Sequence, residues 1–201
     1  MSTARPSIQV TPPESGPLAA VLSFLVPGLG QVLQGRIGKG LLFFFCIYGL
    51  FFYGMYLGSG SITLKGRHYQ VTGNVYLPDT AARNNPWGLP TLMANLYNRP
   101  QYIGQFWVGI VAWPALYHYN FSSKAEKNPA ENGEARPESL WTQIQSYQKT
   151  PTEEALNAIN TSGGKFLELG WVYTVIAGVL NVMVIYDAYA GPAFPRKEGG
   201  A

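Results

Sequence analysis

Four apolar windows alternate with polar stretches along this chain. They cover residues 17–33, 40–57, 102–119 and 169–189, and charges are nearly absent from them. Mean hydropathy over the whole chain is close to neutral, so the partition carries the signal and the average hides it. Long apolar windows separated by charged connections mark a chain that crosses a membrane several times. The expected fold is an all-α integral membrane protein with four transmembrane helices, the first and third kinked or short, and two polar excursions over residues 58–101 and 120–168. Residues 17–191 make one membrane domain. Residues 1–16 read as a disordered tail, because a Ser/Thr/Pro-rich segment buries too little apolar area to offset its ordering entropy. Residues 192–201 form a second tail.

The windows differ in strength. The first is short for a spanning helix, which needs about 20 apolar residues to cross roughly 30 Å of hydrocarbon. It also carries Pro27, Gly28 and Gly30, and proline removes a helical hydrogen bond. Two readings follow: a spanning helix kinked at Pro27, or a half-spanning re-entrant segment. The spanning helix is the expectation. The second window has no charge after Lys39 and ends with Tyr53 and Tyr56, which suit an interfacial aromatic belt. Gly54 and Gly58 form a small-xxx-small pair, a means of close helix approach. The third window is aromatic, with Phe106, Trp107, Trp113, Tyr117 and Tyr119, and Pro114 is expected to kink it. The fourth is strongly apolar and closes before Pro192.

Local patterns in the excursions predict smaller elements. Residues 61–65 and 68–76 alternate as a hairpin does, with Thr72-Gly73-Asn74 as turn material. A helix is expected over 92–97, and another over 137–148 with Leu140, Ile144 and Tyr147 on one face. Thr150-Pro151-Thr152-Glu153 reads as a helix start, with Thr150 as N-cap and Glu153 completing a capping box. That helix is expected to stop at Ser162-Gly163-Gly164.

Charge adds little to function and something to topology. The net charge is +3, with no basic run, which argues against nucleic acid as a partner. The lone Cys46 excludes an intramolecular disulfide. Arg5 is the only basic residue ahead of the first window, which ends in Pro-Gly-Leu-Gly, so the N-terminus does not read as a cleaved signal. Four spans put Arg5, Lys65, Arg67, Arg83, Arg99, Arg196 and Lys197 on one side. Arg36, Lys39, Lys124, Lys127, Arg136, Lys149 and Lys165 then lie on the other, an even count. The basic pair in the tight 34–39 loop and the charged, helical character of 120–168 place those two loops in the cytoplasm.

Residues with chemical potential are few. The run from Gly28 to Lys39 looks superficially like a phosphate loop, but Gly40 stands where Ser or Thr is needed and Leu33 where the first glycine belongs. Pro27, Gly28, Gly30, Gly35, Gly38, Lys39 and Gly40 instead read as a tight interfacial turn that sets how the first two helices meet. Asp187 is the only acid inside an apolar window, and a carboxylate there needs a partner. A structural role for it outweighs a transport role. Four-span topology separates it from Arg36 and Lys39, leaving Arg99, Arg67 and Lys65 as expected partners. Asn181 is expected to make an interhelical hydrogen bond. His68 and His118 have no metal-ligand spacing around them. No catalytic residue, metal or cofactor is expected. The expected partners are the lipid bilayer, with other membrane proteins or a second copy of the chain, and no nucleic acid.

Pro27-Gly28-Leu29-Gly30-Gln31, Gly35 and Gly38-Lys39-Gly40 resemble the glycine-rich turn of the two-transmembrane-helix domain family. Ile185-Tyr186-Asp187-Ala188-Tyr189 is similar to the Asp-containing end of that family's second helix, but here residues 58–168 intervene. The rest of the core more closely resembles a bacterial, planctomycete-type family of multi-pass membrane proteins of unknown function. Its marks are Gly104-Gln105-Phe106-Trp107-Val108-Gly109, Leu167-Glu168-Leu169-Gly170, Tyr173-Thr174-Val175-Ile176-Ala177-Gly178 and the stretch from Leu180 to Pro192. The resemblance implies a multi-pass fold in a bacterial cell membrane, the inner membrane in particular, and no activity. The leading expectation is a non-enzymatic scaffold or interaction partner. The alternatives are a small transporter or channel subunit using Asp187 and Asn181, and a membrane enzyme with its site in 58–101 or 120–168.

Overall fold

The computed structural model describes residues 16–64, 67–77, 91–121, 148–151, 153–163 and 165–191. The chain is mostly helical, and two helices form its frame: α3 (Ile37–Leu57) and α8 (Lys165–Ala190). Among the described residues, these two are long and apolar enough to cross a membrane. They run antiparallel. Lys39, at the start of α3, reaches Asp187 near the end of α8, and Gly54 lies against Gly170 and Thr174 near the start of α8. A Cβ on Gly54 would stand 2.7 Å from the Gly170 carbonyl oxygen, and one on Gly170 would stand 2.7 Å from the Gly58 nitrogen. The Gly54/Gly58 pair therefore does admit a neighbouring backbone, and the neighbour is α8.

The first and third apolar windows are not single helices. The first divides into α1 (Gly16–Leu25) and α2 (Leu29–Leu33). Pro27 brings no N–H to continue α1, and Gly28 takes φ 85°, a left-handed conformation that costs glycine little. The chain reverses there instead of bending. Gly30 on the returning arm packs against the Ala19 backbone and the Ser23 side chain of the outgoing arm. Gly16 lies beside Tyr189 at one end of α8, and Arg36 returns to Asp187 at that same end. The expected single kinked helix is thus corrected to a helical hairpin.

The third window behaves alike from the opposite end. It consists of α5 (Gln101–Phe106), a 3₁₀ turn (Ile110–Ala112) and α6 (Pro114–Phe121). Gly109, at φ 101°, turns the chain. Pro114 does not kink a long helix; it opens α6, where its missing N–H is harmless. The Tyr102 hydroxyl donates to the Ala112 carbonyl at 3.0 Å and ties the two arms. The hairpins meet tip to tip. Phe24 of α1 packs on Phe106, Trp107 and Trp113 with ring centroids 5.8, 5.6 and 5.4 Å apart, and Gly109 fits against the Phe24 and Leu25 carbonyls. Four expected spans become two long helices and two half-length hairpins.

The end of the frame near Gly58 carries a small cap. Strands β1 (Ser59–Leu64) and β2 (Arg67–Thr72) pair antiparallel, from Ser59 opposite Thr72 to Leu64 opposite Arg67. Thr72-Gly73-Asn74 does not form the hairpin turn. It leaves the sheet, and the Gly73 N–H bonds the Gly58 carbonyl at 2.9 Å. Helix α4 (Thr91–Asn98) fits the expected 92–97, and α7 (Glu153–Gly163) fits the helix read after Thr150. Thr150 is not seen capping α7; its hydroxyl donates to the Leu77 carbonyl at 2.6 Å. On α7, Ala155 and Ile159 bury against Val71 and Leu167. Of the helix expected over 137–148, residues 137–147 lie outside the described residues, as do both tails apart from Gly16, and Gln148 is a turn residue with φ 59°. The main core joins Ile47, Phe51 and Met55 of α3 to Leu77, Tyr102, Val108, Ala177 and Val184.

Candidate functional site

Polar groups inside the frame collect at two levels of α8. The first is Asp187, one turn before the helix ends. Its Oδ2 lies 2.8 Å from Arg36 Nη2 and its Oδ1 lies 2.6 Å from Lys39 Nζ. Gln31 Nε2 adds a hydrogen bond of 3.1 Å. The same arm supplies the neighbouring carbonyls: Gln31 donates to Val184 at 2.9 Å and Gln34 to Ala188 at 2.6 Å. The expectation that Asp187 lies across the membrane from Arg36 and Lys39 is therefore wrong. It rested on counting residues 17–33 as one crossing, whereas the hairpin brings Arg36 back to the end of α8 beside which Gly16 lies. Of the partners expected instead, Arg99 packs on Tyr76 and Arg67 stands in β2, both at the far end, while Lys65 lies outside the described residues.

The second level is Asn181, wholly buried midway along the α8 contact. Its Nδ2 donates to the Ser23 carbonyl at 3.1 Å and to the Trp107 carbonyl at 2.8 Å. In a continuous helix the Ser23 carbonyl would accept from residue 27, and Pro27 has no N–H to give. Trp107 is the residue that ends α5. One carboxamide thus caps the C-terminal ends of two half-helices from opposite hairpins. Below it, the Ser23 hydroxyl donates to Gln31 Oε1 at 3.1 Å and accepts the Gly30 N–H at 3.1 Å. The expected interhelical bond of Asn181 is there, twice over.

The chain matches the family of unknown function DUF6677 over residues 18–200. It belongs to that family. The match takes in both hairpins, both long helices and the cap of this DUF6677 member. No curated protein and no solved structure matches the chain.

The glycine turn serves several purposes in this family member. Gly28 and Gly40 lie backbone to backbone, and Gly30 is closed in by Ala19 and Ser23. Gly35 has open space around it but adopts φ 74°, and Gly38 has nothing within 4 Å. Lys39 sits over the Phe43 ring at 5.4 Å while it pairs with Asp187. The hydrophobic pattern gave the glutamines no partners, though Gln31 and Gln105 lie inside apolar windows and need them, while Gln148 stands in the polar excursion. Gln31 joins the Asp187 group. Gln105 donates to the Asn74 carbonyl at 2.9 Å and to Thr174 Oγ1 at 2.8 Å. Gln148 donates to the Val111 carbonyl at 2.7 Å and accepts the Ala115 N–H at 3.1 Å. Among the described residues, no three His, Cys, Asp or Glu side chains gather as a metal site.

Proposed function

We propose that this protein is a non-enzymatic membrane scaffold that crosses a bacterial inner membrane twice, through α3 and α8, and carries residues 58–164 on one face. Leu41, Leu42, Phe45 and Phe52 on α3, and Val172, Ile176, Val179 and Met183 on α8, are all exposed. Such a continuous apolar surface needs lipid or a partner to cover it. The scaffold reading rests on one observation: Asp187 and Asn181 are both committed to binding the re-entrant hairpins to α8. A transporter would need those groups free to exchange partners with a cargo. An anchored frame needs them held. The 34–39 turn and both tails face the cytoplasm in this reading, and residues 58–164 face away from it.

The interaction role is tested by placing a photo-crosslinking residue at Glu154, Asn157 or Asn160, on the exposed face of α7, in native membranes. The scaffold reading expects recurrent adducts with one or two proteins, or with a second copy of the chain. Adducts to lipid alone at all three positions would remove it.

A further inference from the structure

Among the described residues, buried polar atoms without a hydrogen-bond partner concentrate near the Gly58 end. Asn74 Oδ1, Asn95 Oδ1, Arg99 Nη1 and Gln101 Oε1 lie there, whereas the Tyr48 hydroxyl and Asn181 Oδ1 lie elsewhere in the frame. The first four occupy adjoining turns. Arg99 Nη2 donates to the Gly73 carbonyl at 3.2 Å, next to Asn74, and the Arg99 N–H bonds the Asn95 carbonyl at 3.0 Å. Gln101 starts α5, and Gln105 one turn later holds the Asn74 carbonyl. One of the amides is fixed by its other atom: Asn74 Nδ2 donates to the Gly54 carbonyl, so its free atom is an acceptor and cannot flip to become a donor. Asn95 Nδ2 meets the Tyr119 hydroxyl, which accepts or donates, so Asn95 can present either amide atom. Arg99 lies 3.6 Å over the Tyr76 ring, which holds the guanidinium plane in place. Among the described residues, no carboxylate pairs with Arg99.

Buried polar groups are normally paired, and a cluster of exceptions points to a missing partner. We infer that the Arg99 cluster holds a phospholipid headgroup, with the phosphate on Arg99 and a hydroxyl or ammonium donor on the Asn and Gln oxygens. This rests on the two-span reading above. Depth supports lipid as the source. The Gly73 N–H bonds the Gly58 carbonyl where α3 ends, so Arg99 stands at the level where the apolar span gives way to headgroups. Ile103 and Trp107 follow Arg99 at four-residue intervals toward the apolar interior, and both are exposed, as an acyl chain requires. An arginine fork suits a phosphate, and one donor beside three acceptors suits a headgroup carrying both functions. Phosphatidylglycerol and phosphatidylethanolamine have a hydroxyl or ammonium to give. Phosphatidylcholine has a phosphate but no N–H or O–H.

The full chain, purified in detergent, is unfolded thermally against each of these three lipids and against inorganic phosphate. Phosphatidylglycerol and phosphatidylethanolamine are expected to raise the midpoint, phosphatidylcholine less, and inorganic phosphate not at all. Arg99→Gln should raise the half-saturating lipid concentration about tenfold, the loss of one charge-assisted bond. Arg99→Lys, which keeps the charge without the fork, should fall between. Equal effects of all three lipids overturn the inference, as does a preference unchanged in the variants or a phosphate effect matching that of lipid. Should Arg99→Gln fail to fold, Arg99→Lys and the headgroup series on the unaltered chain decide it. Alkaline carbonate separates the two levels of failure. A chain that carbonate strips from membranes refutes the two-span reading, whereas a chain that resists it and ignores headgroup chemistry refutes the lipid site alone.

Discussion

Removing the Asp187 charge leaves Arg36 and Lys39 converging with no anion between them. The Arg36 side chain is 18% exposed and that of Lys39 is 41%, so the arginine bond is the better protected from water and salt. Asp187→Asn is expected to cost about 1–3 kcal/mol, between the values for exposed and buried pairs. Arg36→Ala should cost more than Lys39→Ala, and added salt should weaken the Lys39 contribution first. Unfolding in detergent with denaturant checks the order, and a reversed order would mean the pairs contribute little. At Asn181 the sign of charge is diagnostic, because its Nδ2 faces two carbonyls. Asn181→Asp puts an acceptor where a donor belongs and should cost more than Asn181→Ala, which is expected to cost about 2–4 kcal/mol for two lost caps and a cavity. The same detergent unfolding ranks the two variants. The sequence marks both residues as needing partners, since each is polar within an apolar run. It does not name the partners. Ser23 presents a free carbonyl to Asn181 because Pro27 cannot fill it, and that becomes visible once the hairpin is seen to reverse.

At the scale of elements, a break and a reversal look the same in a linear pattern. Pro27-Gly28 and Pro114 were legible as interruptions, whereas Gly109, where the third window turns, was not. What makes them turns is support from outside: the broken ends find Asn181, and the tips find each other through Phe24, Trp107 and Gly109. Such satisfaction of backbone groups is the condition for non-helical chain at this depth, and it comes from residues far away in sequence. Helices α3 and α8 were legible because their length alone suffices. Close backbone contacts give this scale its prediction. A Cβ on Gly178 would overlap the Gly104 carbonyl, so α5 and α8 must separate. Gly178→Ala is therefore expected to destabilise by about 1–3 kcal/mol. Gly49, on the open face of α3, has no neighbour within 4 Å, and Gly49→Ala should be neutral or stabilise by up to about 1 kcal/mol through helix propensity. Thermal midpoints of the two variants, measured side by side, separate helix packing from propensity.

For the whole molecule, the number of complete spans decides which charges share a side. With two spans, the 34–39 turn and the cap of β1, β2 and α7 would lie on opposite faces, because α3 runs from one to the other. In that reading loops 34–39 and 120–168 would lie on opposite faces, where the four-span expectation put both in the cytoplasm. Arg36 and Lys39 stand at the Asp187 end. Arg5 precedes α1 in sequence and Arg196 and Lys197 follow α8, whereas the other basic residues, apart from Lys165 at the start of α8, fall in the long connection. Connections beyond about 60 residues cross largely regardless of charge, so in the proposed reading the Asp187 end governs orientation and is expected to face the cytoplasm. Two single-cysteine variants test this on a Cys46→Ser background, which removes the exposed native thiol. Gly38 has open space around it and Glu154 is exposed, so cysteine is tolerated at both. In intact cells a membrane-impermeant maleimide should label Glu154→Cys and reach Gly38→Cys after permeabilisation. The converse pattern would invert the orientation and leave two spans intact. Equal labelling of both sites from one side would restore an even number of crossings between them, and with it the four-span reading.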